Sequence, residues 1–127
     1  MDRNKFIKEF HKASVHFDKD RAYDIMSNCI RRQREQYGKL SDTIIPVAVM
    51  EECAELSEAI SHKIRGREED NYELLQEMAD VLIDILALGI INGISEEDMI
   101  QAVNVKLDRE AERIRQHDEN RKILSQL

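Results

Sequence analysis

At 127 residues the chain has room for one hydrophobic core, and 26 acidic against 19 basic side chains leave it at −7, the wrong balance for a duplex nucleic acid partner. Hydrophobic content of 42% with 35% charged residues fits a helix-rich globular protein rather than a disordered one. One proline and four glycines leave long stretches uninterrupted, and no strand-like alternation is evident. Cys29 and Cys53 are too few for a disulfide framework or a zinc site and read as reduced core thiols. The opening "MDRNKFIKEF" lacks the apolar core of a signal peptide. The longest apolar run, "VLIDILALGII", is too short to span a bilayer and carries Asp84. The expectation is a soluble, cytoplasmic protein with no membrane partner.

In chain order, a first helix is expected over about residues 2–17, with Phe6, Ile7 and Phe10 as its apolar positions. A second begins near Asp18 or Asp20 and ends at "QYGK", where Gly38 suits a helix stop. After a loop, "LSDT", a third starts between Thr43 and Pro46, since proline fits a first helical turn, and stops at Gly66. The fourth covers about residues 69–92, with Gly93 after its end. Ser95 then caps a fifth, helped by Glu96, Glu97 and Asp98, which continues to about residue 124. The chain is thus expected to be a single all-α domain over residues 1–127, an antiparallel bundle of about five helices.

The stretch "MEECAELSEAI" holds four glutamates among apolar residues. On a helical wheel Val49, Cys53, Leu56 and Ile60 form an apolar stripe, and Glu52 and Glu55 share its flank with Ala48 and Ala59. Small residues there let another helix come close. Glu58 points elsewhere, into solvent. The fourth helix repeats the arrangement: Leu74, Met78, Val81, Ile85 and Leu88 form its stripe, with Glu77, Asp80 and Asp84 to one side. Between Met78 and Ile91 only Asp80 and Asp84 are polar, the pattern of a helix covered on most sides. Two helices joined by "RGRE" run antiparallel and bring Glu52 and Glu55 opposite Glu77 and Asp80.

Carboxylates clustered in that way need a cation or protons to compensate them. Four oxygen ligands without His or Cys suit a hard ion, Mg²⁺ or Mn²⁺. Ion pairing with lysines and arginines of neighbouring helices fits the same spacing. Glu51 reads either as a water-orienting carboxylate or as an exposed one, and Asp84 as a supporting contact. His62 reads either as a ligand or, as is commoner for a lone histidine near a helix end, as a surface residue. The pair His117-Asp118 lacks the upstream histidines of a metal phosphohydrolase. In "VNVKLDREAER", Lys106, Arg109 and Arg113 share one face with Asn104 close by. Such a face suits phosphate oxygens, or else ion pairs with Asp108, Glu110 and Glu112.

Together these segments resemble the MazG-like, all-α nucleoside triphosphate pyrophosphohydrolases. "EECAE" at 51–55 and "EMAD" at 77–80 are similar to that family's EExxE…ExxD signature, and "NVKLDR" at 104–109 to its NxKFxRR segment. "RQREQYGKL" resembles its RQ…KWG element, so the resemblance covers about residues 30–113. Tyr37 stands where Trp is common, and Glu110 where a second Arg is expected. The resemblance implies Mg²⁺-dependent (or Mn²⁺-dependent) hydrolysis of an NTP or dNTP between the α and β phosphates, releasing the monophosphate and pyrophosphate. It implies Glu52, Glu55, Glu77 and Asp80 as metal ligands, Asn104, Lys106 and Arg109 as triphosphate contacts, and Glu51 as the residue that orients water. It further implies catalytic core helices over 43–113 and a homodimer or homotetramer that completes the bundle; the helix over 1–17 is an addition with no counterpart. The rival from another class is a non-catalytic helical interaction protein whose acidic cluster is structural. A di-iron carboxylate protein ranks below both, because neither acidic motif supplies its histidine.

Overall fold

The computed structural model describes every residue, Met1–Leu127, and is all-helical, as expected. In chain order it contains α1 (Arg3–Phe10), α2 (Lys19–Tyr37), a 3-10 turn (Gly38–Leu40), α3 (Ser41–Ile64), α4 (Tyr72–Ile91) and α5 (Glu96–Ser125). These fall into two compact units, Met1–Gly93 and Ile94–Leu127, which are taken in turn.

In the first unit, Asp2 caps α1 by accepting a hydrogen bond from the Lys5 backbone N–H. The helix expected to reach residue 17 ends at Phe10. Beyond it the Ser14 hydroxyl accepts from the His16 N–H at 3.2 Å, a local bond that competes with helical pairing. Asp18 then starts α2 by capping Arg21. Although short, α1 is anchored to α4. Phe6 and Phe10 meet the Tyr72 ring edge-on, with centroids 6.2 and 5.5 Å away. Arg3 pairs with Asp70 and Glu68 and lies 5.7 Å over the Tyr72 ring.

Gly38 closes α2 at φ +59°, in the left-handed region where a side chain would be strained. The expected "LSDT" loop is instead helical. Ser41 is buried and its hydroxyl donates to the Gly38 carbonyl at 2.8 Å, while Thr43 donates to the Leu40 carbonyl at 2.7 Å. These bonds carry the chain from the 3-10 turn directly into α3. Pro46 therefore sits in the second turn rather than the first, where its missing N–H leaves the Asp42 carbonyl without a helical donor. The turn after α3 is held by side chains. Glu68 accepts from the Glu73 N–H at 2.7 Å and Asp70 from the Tyr72 N–H at 3.2 Å, so α4 begins at Tyr72 instead of near residue 69.

α3 and α4 run antiparallel, and contacts along them fix their register. Ile45 packs with Ala87 in the core cluster, Glu52 and Glu55 face Asp80 and Glu77, and His62 reaches Glu73. On α3 the seam is therefore 45, 52 and 59 with 48, 55 and 62; on α4 it is 73, 77, 80, 84, 87 and 91. Both follow the alternating three- and four-residue steps of a packed helix pair. This corrects the expectation that the glutamates flank the packed face: they lie on it. Val49, Leu56, Leu74, Val81 and Leu88 are half-buried, but Cys53, Ile60, Met78 and Ile85 are exposed. Both cysteines are free and exposed rather than core thiols. Ile30 of α2 closes the core over Ile45 and Ala87, with Met26, Val49, Ile90 and Ile91 packed around.

The second unit is α5. Ser95 and Asp98 form a reciprocal capping box, with the expected acidic first turn of Glu96, Glu97 and Asp98. No residue of α5 is buried. Arg113 pairs with Glu110, and Arg115 with Glu112 and Glu119. No helix of the protein is long and apolar enough to cross a membrane.

Because Ile30 is 3% exposed at the centre of the core cluster, Ile30→Ala should lower unfolding free energy by about 2–4 kcal/mol in a urea titration. Cys53→Ser, at an exposed position, should stay within about 0.5 kcal/mol of the parent.

Candidate metal centre

The middle of the α3–α4 seam is acidic where a helix pair normally carries apolar side chains. Glu52 and Glu55 come from one helix and Glu77 and Asp80 from the other, and each offers an oxygen within 4.8 Å of the rest. Steps of three residues on each helix place the two pairs on facing turns. Ala59 is 1% exposed one turn beyond Glu55, and its small side chain keeps the helices close enough for the carboxylates to converge.

Such an arrangement is electrostatically expensive. The Glu52 carboxyl is pushed up to about 7 by burial first, then by the negative charges of Asp80, Glu55 and Asp84. Glu77 is raised by burial and by Glu55 and Asp80. Asp80 is raised by burial and Glu55, and Asp84 by burial and Asp80. No lysine or arginine ion-pairs with any of the four; the pairs nearest in sequence belong to His62 with Glu58 and Glu73.

The donor set fits a hard divalent cation. One oxygen of Glu52 and one of Glu77 are buried with no hydrogen-bond partner, and unsatisfied buried acceptors of this kind are rare unless an ion or water completes them. Hard cations of the Mg²⁺ and Mn²⁺ class take oxygen ligands, which is what this cluster offers.

The remaining sequence candidates separate. Asp84 is half-buried on the same seam, close enough to raise Glu52. Glu51 is exposed and outside the four-carboxylate group. Glu58 has a largely exposed side chain, as expected. His62, expected as a surface residue, is instead half-buried between α3 and α4, 2.7 Å from Glu73. Asn104, Lys106 and Arg109 are exposed on α5. The ion pairs of that helix engage Arg113 and Arg115 and leave Lys106 and Arg109 out, while Glu110, in the place of a second arginine, is the partner of Arg113. His117 and Asp118 are exposed.

Carboxyls raised above the ordinary glutamate value of 4.5 bind their protons more tightly in the folded than in the unfolded chain. Their contribution to stability is full below that value and is lost as pH climbs through about 7. Without divalent metal, Glu52→Gln should therefore gain in Tm over the parent between pH 5 and pH 8, by on the order of a few degrees. A difference that stays constant across that range in thermal melts would show that Glu52 does not titrate as described.

Comparison with known proteins bears on what such a cluster does. The chain matches the family model described as the MazG nucleotide pyrophosphohydrolase domain over residues 41–114, more than half its length. That span contains all four clustered carboxylates together with Asn104, Lys106 and Arg109. Searches of curated proteins and of solved structures found no match. With its acidic cluster inside the matched span, the chain belongs to the MazG nucleotide pyrophosphohydrolase family.

Proposed function

We propose that this protein is a Mg²⁺-dependent nucleoside triphosphate pyrophosphohydrolase, with Mn²⁺ able to replace Mg²⁺. The observation that carries the proposal is the seam of four convergent carboxylates, two with buried, unpartnered oxygens, in a chain of this family. A cluster serving packing alone would have basic side chains among the acids, and none pairs with them.

Glu52, Glu55, Glu77 and Asp80 would hold the cation. When bound, a divalent ion neutralises phosphate charge and makes water more acidic near neutral pH. Everything else is work for the chain. Glu52, whose carboxyl is pushed up to about 7, would have to release its proton for the group to hold a cation. Glu51, exposed beside Glu52, orients the attacking water and takes its proton. Asn104, Lys106 and Arg109 bind the triphosphate through charge-assisted hydrogen bonds, which strengthen as charge moves onto the leaving group. One water is consumed, the α–β anhydride bond breaks, and the products are a nucleoside monophosphate and pyrophosphate. Residues 43–113 form the catalytic core in this reading. On this reading the enzyme works in the cytoplasm.

The same reading includes a homodimer or homotetramer. Leu75, Met78, Leu82, Ile83 and Ile85 of α4 are exposed, as are Val47, Met50, Ile60 and Ile64 of α3. Apolar residues in that number along two neighbouring helices are what a second copy would cover.

Glu52→Gln and Asp80→Asn should remain folded and lose nearly all pyrophosphate release from a mixture of NTPs and dNTPs with Mg²⁺. Wild-type rates in either variant would remove that residue from the metal set; orthophosphate as the product would refute the bond assignment. Arg109→Ala should raise KM about tenfold, the worth of one charge-assisted hydrogen bond. Mg²⁺ at a hundred times its Kd should stabilise the fold by about 2.7 kcal/mol. Light scattering at micromolar concentration should give a dimer or tetramer, and a monomer would overturn the assembly.

A further inference from the structure

The acidic seam raises a mechanical question. Repulsion among Glu52, Glu55, Glu77, Asp80 and Asp84 pushes α3 and α4 apart at mid-length, so something must hold the helices on either side of it. On one side the holding contact is apolar, Ile45 against Ala87 under Ile30. On the other side only the small side chain of Ala59 is buried, one turn beyond Glu55, and the next layer out is polar. The facing residues there are His62 and Glu73.

We propose that His62 is a positioning residue for the carboxylate cluster: its imidazole ties α3 to Glu73 of α4 and sets the distance at which Glu55 meets Glu77. Nδ1 of His62 lies 2.7 Å from Glu73 Oε1, and Nε2 lies 3.7 Å from Glu58 Oε1. The Glu73 carboxyl is held below its ordinary range by the Glu68 side chain and then by His62. It is therefore an ionised acceptor, to which Nδ1–H donates. Glu73 is itself fixed, because its backbone N–H donates to Glu68 at 2.7 Å and Glu68 pairs with Arg3 of α1. The bond thus joins the far end of α3 to a braced point on α4. Glu73 is one turn from Glu77 on α4, and His62 is two turns from Glu55 on α3, so a tilt of either helix at this layer moves a clustered carboxylate.

The metal arm of the test rests on the proposed cation site; the exchange arm does not. Mn²⁺ binding is measured on the full chain by the electron paramagnetic resonance signal of free Mn²⁺, and amide hydrogen exchange is followed without metal. His62→Leu keeps bulk and removes the bond, and should weaken Mn²⁺ binding about tenfold, the usual scale for losing a group that orients ligands. It should also speed exchange in residues 55–58 and 76–80 while leaving α2 around Ile30 unchanged. His62→Asn places an amide N–H near the position of Nδ1 and should recover most of both losses, which a role in bulk packing alone would not allow. Glu73→Ala removes the acceptor from the other helix, should reproduce the His62→Leu effects, and serves if His62→Leu does not fold. The double variant should be no worse than either single one. Wild-type affinity and exchange in His62→Leu or Glu73→Ala would overturn the proposal, as would a His62→Asn variant as defective as His62→Leu. If the parent protein binds no Mn²⁺, the metal reading fails and the exchange comparison alone decides the role of His62.

Discussion

Four carboxylates that converge between two helices, Glu52 and Glu77 half-buried and Glu55 and Asp80 exposed, are the constraint around which the first unit is arranged. Two unit charges within 4.8 Å of one another repel by about 3–4 kcal/mol at an effective dielectric of about 20, and this seam holds several such pairs. Domain stability as a whole is only about 5–15 kcal/mol, so a fully ionised, uncompensated seam is not an affordable ground state. The chain has two ways out, protons or a cation. The rise of Glu52 to about 7 describes the first, and the unpartnered oxygens of Glu52 and Glu77 point to the second. Both would act on the same oxygens, so on the proposed reading cation binding would expel protons and affinity would rise with pH through about 7.

The surrounding residues are best understood as closing a seam that its centre would open. Ala59 lets the helices approach. Ile45, Ala87 and Ile30 clamp one end by burial. At the other end His62 and Glu73 form the contact, and the Glu68–Asp70 segment caps α4. α1 lies before the span that matches the family model, yet Arg3, Phe6 and Phe10 converge on this same capped end of α4. An exposed ion pair such as Arg3 with Asp70 is worth little alone. The aromatic contacts with Tyr72 give α1 a reason to stay where the pair can form.

Much of this was legible in the sequence, but the face was not. The i, i+3 acid pairs on consecutive helices identify the residues that meet, and Ser95 with Asp98 marks the start of α5 correctly. What misleads is hydrophobicity itself. Val49, Cys53, Leu56 and Ile60 look more like a core stripe than a line reading Ile45, Glu52, Ala59, so the wheel turns α3 toward the wrong neighbour. A glutamate counts as surface in any such reading, and only the partner helix can show that it is not. The seven-residue spacing of 45, 52 and 59, matched by 77, 84 and 91 on α4, is the signal that would have found the seam. His62 and Glu73 belong to the same spacing and were missed for the same reason. Local chemistry explains the boundary differences: the first helix gives way after Phe10 to tighter turn bonds from Lys12 to Glu9 and from Ala13 to Phe10, and the Ser41 and Thr43 hydroxyls extend the third one backwards past Pro46.

The polarity of α4 is inverted relative to an ordinary surface helix. Glu77, Asp80 and Asp84 turn toward α3, whereas Met78, Leu82, Ile83 and Ile85 face outward and are exposed. In a lone hairpin both choices are unfavourable, since like charges are crowded together and apolar surface is wetted. On the proposed reading each has its own remedy, a cation at the seam and a second copy over the outer face. The remedies are coupled. A cation that draws α3 and α4 together also fixes the relative position of their outward residues, and so shapes the surface that a second copy must match. Assembly in turn restricts the helix movements that would let the carboxylates relax apart. On that reading, by linkage, each event would strengthen the other by the same factor. A helix with acids inside and leucine, isoleucine and methionine outside is therefore what two successive binding steps would require, and neither step alone accounts for both of its faces.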